Sequence, residues 1–325
     1  MVHPKQGPVS GPRSPTGEDA VIKRIAQRLG TRLGPSTSAE VRIGDDSAVL
    51  ADPLQDLPLL LTADAVVDGV HFDLSLVGIA DVGWKALTAA VSDVAAMGGT
   101  PWRSLVTVQA PKGTDLDALY EGVEEASHRW GCPVVGGDLS IAAQLVASVF
   151  VLGHAPRRDG AVLRAGASPG DELFVTGPLG ASAAGLRALR SGPQRSLGAQ
   201  ADLVSAYRRP QARLAEGRAA AAAGATAMMD ISDGLGLDLS RMAECSGVGA
   251  ALTQVPVAHG ATLDEALGGG EDFELLIAVP SVTDLPARFS EAGLRRPIAI
   301  GTCTDDGGLT LAGEWLSATG YSHPL

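Results

Sequence analysis

Apolar residues along this chain alternate between helical and extended patterns. From Glu18 to Leu33, Val21, Ile22, Ile25, Ala26 and Leu29 share one face and predict an amphipathic helix. Val41 to Leu50 predicts a short strand interrupted by Gly44-Asp45-Asp46. Leu57 to Ala65 is a continuous apolar run, as expected of a buried strand. Ile79 to Met97 predicts a helix stopped by Gly98-Gly99 and Pro101. A strand over Ser104 to Ala110 and a helix over Asp115 to Trp130, capped by Thr114 or Asp115, come next. Pro133-Val134-Val135 predicts a short buried strand running into Gly136-Gly137-Asp138, and Leu145 to His154 a longer one.

Pro156 to Gly170 reads as a connection containing Arg164. Beyond it, strands are expected at Glu172 to Thr176, Ala227 to Ile231, Gly249 to Val255, Leu275 to Val279, Pro297 to Thr302 and Leu309 to Leu311. Helices are expected at Ala181 to Arg190, Ala212 to Ala223 and Leu235 to Ser246, with a loop over Ser191 to Gln200. The class is mixed α/β, and the connection divides the chain into residues 18–155 and 156–325. Residues 1–17, with Pro4, Pro8, Pro12 and Pro15 and no apolar core, read as a disordered tail and not as a signal peptide.

The composition narrows the function classes. The 325 residues carry a formal net charge of −12, which argues against nucleic-acid or anionic-membrane partners. No apolar run is long enough to span a bilayer. Three widely spaced cysteines, Cys132, Cys245 and Cys303, form no disulfide or zinc pattern and suit a reducing cytoplasm. Lysine is limited to Lys5, Lys23, Lys85 and Lys112, so an anionic substrate would need another source of positive charge.

Five acidic motifs offer that source: Gly44-Asp45-Asp46, Thr62-Ala63-Asp64, Ser92-Asp93, Gly136-Gly137-Asp138 and Asp230-Ile231-Ser232-Asp233-Gly234. Each sets a carboxylate beside a small residue or at the end of an apolar run, where hard divalent cations find oxygen ligands. Neighbouring side chains of an extended segment face opposite ways, so one of Asp45 and Asp46 can bind metal while the other holds the turn; a plain Asp-rich turn is the alternative. Thr62 and Asp64, two apart, face one side. Asp93 sits among Val91, Val94 and Ala95, a costly position for an unpaired charge. Gly136 and Gly137 let backbone approach a phosphate. Ser232 or Asp233 either caps the following helix or meets a phosphate at its N-terminus. Gly268-Gly269-Gly270-Glu271 is either a flexible loop or a substrate-shaping one, with Glu271 as the polar contact. Together the motifs suggest a multi-metal phosphate site without lysine. No P-loop, kinase lysine motif or Gly-x-Ser-x-Gly elbow accompanies them.

In this order, with Gly69-Val70-His71-Phe72, Lys85-Ala86-Leu87, Pro169-Gly170-Asp171 and Gly270-Glu271-Asp272-Phe273-Glu274-Leu275 between them, the motifs make the chain resemble the thiamine-monophosphate kinase family. That family belongs to the superfamily of aminoimidazole ribonucleotide synthetase and selenophosphate synthetase. The resemblance implies ATP-dependent phosphorylation of thiamine monophosphate with several Mg²⁺ ions. It implies metal binding by Asp46, Thr62, Ala63 (through its backbone), Asp64, Asp93, Asp138, Asp230 and Asp233. It places Gly137, Asp138, Arg164, Ser232 and Tyr120 on ATP, and His71, Glu271 and Tyr321 around thiamine monophosphate. It further implies a homodimer whose N-terminal halves close a β-barrel-like interface, with a C-terminal α/β half in each subunit. Two other expectations stay open: a superfamily enzyme with a different phosphoryl acceptor, and a metal- and nucleotide-binding regulator without turnover. The N-terminal tail lacks the reactive Cys expected of selenophosphate chemistry.

Overall fold

A computed structural model of the chain describes residues 45–50, 57–158, 160–191 and 200–323. The expected helix over Glu18 to Leu33 and the N-terminal tail lie outside these residues.

The first half is one sheet backed by two helices. Strands β1 (Ala48–Leu50), β2 (Leu59–Val67), β3 (Thr100–Ala110), β4 (Val134–Ile141) and β5 (Val146–His154) lie in the order β1-β2-β5-β3-β4. All neighbours are antiparallel except β3 and β4. Helices α1 (Ile79–Ala96) and α2 (Leu116–Trp130) pack together on the inner face. Fourteen of the 18 residues of α1 are buried, so it is a central helix rather than a surface one. It also reaches the second half, and it joins both halves' chemistry.

The second half holds a seven-stranded sheet, in the order β12-β11-β8-β10-β6-β9-β7. Its strands are β6 (Glu172–Val175), β7 (Ala227–Ile231), β8 (Gly249–Leu252), β9 (Glu274–Val279), β10 (Ile298–Thr304), β11 (Leu309–Leu311) and β12 (Glu314–Trp315). Around it lie α3 (Ala181–Arg190), α4 (Ala201–Arg208), α5 (Leu214–Ala223), α6 (Leu235–Ser246), α7 (Leu263–Gly268) and α8 (Leu285–Glu291). The short helices α4, α7 and α8 are additions to the expected elements. The mixed α/β class is as expected.

Two sequence expectations need correction. The Leu57 to Ala65 run forms β2, but it is not buried on both faces: burial alternates, and Leu61 and Ala63 are exposed. The run is unbroken because the outer sheet face is itself apolar. Gly136-Gly137-Asp138 does not follow a short buried strand; it lies inside β4, an exposed edge strand paired in parallel with β3. Glycine is needed there by proximity, since a Cβ on Gly137 would meet the Val106 carbonyl oxygen at 1.7 Å. Among the described residues of one chain the five-stranded sheet is open, with β1 and β4 at its edges, and it closes no barrel.

Candidate active site

A cavity of about 440 Å³ opens between the halves. From the first half it receives Asp45, Asp46, Thr62, Ala63, Asp64, His71 and Asp93; from the second, Arg164, Asp230, Ser232, Asp233, Glu271 and Tyr321. The elements explain the convergence. Thr62 and Asp64 share the inner face of β2, Asp93 lies near the C-terminal end of α1, and Asp230 is the penultimate residue of the buried strand β7.

Carboxylate oxygens of Asp46, Asp93 and Asp230 all lie within 4.8 Å of one another. Burial is the main force on each, and their mutual repulsion adds to it. Asp93 is held well above the usual carboxylate range by burial and then by Asp230, Asp64 and Asp46. Asp230 is likewise raised, by burial and Asp46. Burial also raises Asp46, against the opposing pull of Arg164. Thr62 Oγ1 donates to Asp93 Oδ2, and Ser92 Oγ to Asp230 Oδ2. Asp46 Oδ2 is buried with no hydrogen-bond partner, although Oδ1 receives Arg164 Nη2 at 2.6 Å. Three converging, mutually repelling carboxylates with an unsatisfied buried oxygen fit a hard divalent cation of the Mg²⁺ type.

The two adjacent aspartates divide their roles. Asp45 Oδ1 accepts the Asp46 N–H at 2.9 Å, and Asp45 Oδ2 accepts the Arg164 N–H at 3.2 Å, so Asp45 holds the turn while Asp46 faces the cluster. Burial and Asp46 push Asp45 up to about 7. Asp64, also raised by burial, stands at about 6 and accepts the Ala65 N–H at 2.7 Å. Asp233 lies in the cavity wall outside the three-carboxylate cluster, 2.5 Å from Arg241 Nη1.

His71, Glu271 and Tyr321 line the same cavity. His71 Nδ1 accepts the Val67 N–H at 3.0 Å, and burial lowers its pKa, so the ring is neutral with its proton on Nε2. The 268–273 segment is no flexible loop: Glu271 N–H donates to Ser232 O at 2.7 Å and Phe273 N–H to Ile231 O at 2.9 Å. No lysine is among the described residues lining the cavity, but Lys85 lies directly behind it, 2.7 Å from Glu271 Oε2.

Three expected site residues lie elsewhere. Asp64 pairs across β5 and β3, through Val149 and Val106, with Gly137. Three inter-strand steps of the usual spacing make about 14 Å. Asp138 is in register with Thr107, Ser148 and Ala65, on the face opposite Asp64. Tyr120 lines a separate cavity of about 430 Å³ with Val123, His128, Pro133 and Val134, the last being the first residue of β4. Gly137, Asp138 and Tyr120 therefore do not join the aspartate cluster of their own chain.

Residues 44–155 match the family described as AIR synthase related protein, N-terminal domain, and residues 168–314 its C-terminal domain. The chain is 36% identical over 253 residues to a thiamine-monophosphate kinase of Bacillus subtilis, covering 74% of this chain and 77% of that one. It is 36% identical over 281 residues to one of Aquifex aeolicus, covering 81% and 86%. The chain belongs to the thiamine-monophosphate kinase family. Among solved structures of that family, AaThiL complexed with AMPPCP and TMP superposes with a TM-score of 0.82 at 32% identity, covering 94% of this chain and 97% of that one.

In this member of the thiamine-monophosphate kinase family, several residues near the cavity escaped the sequence reading. Neither Ser232 nor Asp233 caps α6; its N-cap is Gly234, with no side-chain cap. Asp238 does that work from within the helix, its Oδ2 accepting the N–H groups of Ser232, Asp233 and Gly234 at 3.0–3.1 Å. An acid in the first turn of a helix was the available signal. His323 lies beside both His71 and Tyr321, with ring centroids 5.5 and 5.0 Å away. Tyr207 comes from α4, an element that the sequence pattern did not reveal.

Proposed function

We propose that this protein transfers the γ-phosphoryl group of ATP to the phosphate of thiamine monophosphate, giving thiamine diphosphate, the last step of that cofactor's biosynthesis. The observation that carries this reading is the convergence of Asp46, Asp93 and Asp230 in a cavity that His71, Glu271 and Tyr321 also line. The relatives named thiamine-monophosphate kinase, and the structure holding AMPPCP and TMP, support the same substrates.

The acceptor is a phosphate, anionic at neutral pH, so no general base is assigned. The difficulty is repulsion between two anions and their alignment. Asp46, Asp64, Asp93, Asp230 and Asp233, with Thr62 and the Ala63 backbone, would hold Mg²⁺ ions, and Asp138 would reach the metals only of a partner subunit. Bound Mg²⁺ would neutralise charge on both phosphates and fix their in-line orientation. Arg164, paired with Asp46, and Ser232, at the turn before α6, line the cavity and would meet the ATP phosphates. His71, Glu271 and Tyr321 border thiamine monophosphate.

The enzyme would act in the cytoplasm as a homodimer. No helix among the described residues is long and apolar enough to cross a membrane. Leu61, Leu105 and Phe150 stand exposed on the outer sheet face, and the β4 edge exposes Val135, Leu139 and Ile141, the last at 81%. An apolar face beside an unpaired strand edge suits a second copy of the same sheet. That arrangement would also give Gly137, Asp138 and Tyr120 a route to the neighbouring subunit's nucleotide. A coupled assay with ATP, Mg²⁺ and thiamine monophosphate tests the activity. Formation of thiamine diphosphate is expected; ATP binding without turnover by folded protein would leave a nucleotide-binding regulator instead.

A further inference from the structure

We infer that Lys85 is a positioning residue for the thiamine end of the site, fixing Glu271 and His71 in one relation. The inference rests on the proposed kinase activity, in which those two residues border thiamine monophosphate. Lys85 lies on α1, two turns before Asp93 and on the same side, with the cavity-lining Ala89 between them. Its side chain is 2% exposed. A buried ammonium needs a partner for each of its donors. Lys85 Nζ meets Glu271 Oε2 at 2.7 Å and the His71 carbonyl oxygen at 3.3 Å, and stands 3.9 Å from the centre of the Tyr207 ring. The Tyr207 hydroxyl also reaches the His71 carbonyl, at 3.5 Å.

Three separate segments thus meet on one charge: the turn carrying His71, the helix carrying Tyr207, and the loop carrying Glu271. Glu271 has φ +66°, a left-handed conformation that costs a non-glycine residue energy and persists where surrounding contacts enforce it. The Glu271 N–H bond to Ser232 holds the backbone, and Lys85 holds the carboxylate. Stability alone does not account for this choice, because apolar residues of similar volume often replace a buried ion pair at no cost. What Met at position 85 could not supply is a fixed direction for the Glu271 carboxylate, which remains 22% exposed toward the cavity.

The test is steady-state kinetics of Lys85→Met, with KM measured separately for thiamine monophosphate and for ATP. KM for thiamine monophosphate should rise about tenfold or more, the effect of losing a charged hydrogen bond. KM for ATP should stay within about twofold, as Lys85 is not near the metal cluster. The double variant Lys85→Met/Glu271→Gln should raise KM for thiamine monophosphate by clearly less than the product of the two single effects, since Lys85 acts in part through the Glu271 carboxylate. If Lys85→Met does not fold, the double variant, which removes both charges of the pair, carries the test, with KM for thiamine monophosphate raised and KM for ATP within about twofold of wild type. Unchanged KM for thiamine monophosphate in Lys85→Met, an equal rise for both substrates, or single effects that simply multiply in the double variant would overturn the inference while leaving the activity standing. Wild-type protein that makes no thiamine diphosphate would overturn the activity itself.

Discussion

Ser92 Oγ donates to Asp230 Oδ2 at 2.5 Å, a buried contact between α1 of the first half and β7 of the second. The next residue, Asp93, receives Thr62 of β2. One helix therefore sets carboxylates from both halves against each other. Ser92→Ala removes the donor while adding no bulk. It should destabilise the protein by about 1–2 kcal/mol, the usual result of unpairing a buried polar group. Denaturant titration of wild type and variant checks this; coincident midpoints would show that the contact contributes nothing.

Asp93→Asn should abolish phosphoryl transfer and leave folding intact. Losing one metal ligand removes several kcal/mol of charge stabilisation, or about 10²-fold or more in rate. Without metal, the variant also loses repulsion from Asp230, Asp64 and Asp46, which contributes to the raised pKa of Asp93. Its melting temperature in EDTA should therefore equal or exceed that of wild type. Turnover at the wild-type rate would remove Asp93 from the metal site.

The aspartate motifs were legible because their local context is unusual: Asp230 is the penultimate residue of an apolar strand and Asp93 interrupts an apolar helix. Their meeting point was not, since it depends on how α1 crosses between two sheets. Gly137 read as a glycine that lets backbone approach a phosphate; the neighbour that requires it is the Val106 carbonyl of β3, a tertiary contact. The Leu59-Leu60-Leu61 run announced a strand but not that Leu61 faces outward. Helix α7 carried a readable capping box, Thr262 with Glu265, yet it is only six residues long. Lys85 gave no local sign of its role, because its partners Glu271 and Tyr207 are more than a hundred residues away.

Metal-free stability should fall as pH rises from about 4 to 7. Asp64 and Asp45 are raised to about 6 and about 7 from an ordinary value of 3.8, chiefly by burial. A raised carboxylate pKa means that the folded state binds the proton more tightly than the unfolded chain. That stabilisation is complete below the unfolded value and is lost as pH passes the folded one. In EDTA, Asp64→Asn should gain on wild type by on the order of 1–3 kcal/mol across this window. Stabilisation by Mg²⁺ should grow over the same range, as the carboxylates become free to bind it. Thermal melts at several pH values check both trends, and a pH-independent difference between wild type and Asp64→Asn would contradict them.

Asp238→Ala should cost about 3 kcal/mol or more, because three backbone N–H groups lose their acceptor at roughly 1–3 kcal/mol each. Asp238 also holds Arg241 at 3.0 Å, and Arg241 in turn meets Asp233. The turn carrying Ser232 should loosen and KM for ATP should rise. Asp238→Asn, which keeps one acceptor oxygen, should fall between the two. Stability and ATP kinetics measured together separate a lost turn from general unfolding.

The outer face of the first sheet gives the remaining prediction. Leu105 and Phe150 are directly paired across β3 and β5, and both are exposed. Leu105→Asp places a charge in the middle of that face, away from the cavity that Phe150 lines with Asp64 and His71. In a homodimer closed through this face, an unpaired charge buried at the centre costs several kcal/mol. The variant should sediment as a folded monomer. It should also lose activity, because Gly137, Asp138 and Tyr120 lie away from their own chain's aspartate cluster and would need the partner's. Analytical ultracentrifugation with a parallel turnover assay decides this. A monomeric variant with full activity would mean that each chain completes its own site, and a variant that remains dimeric would move the interface elsewhere.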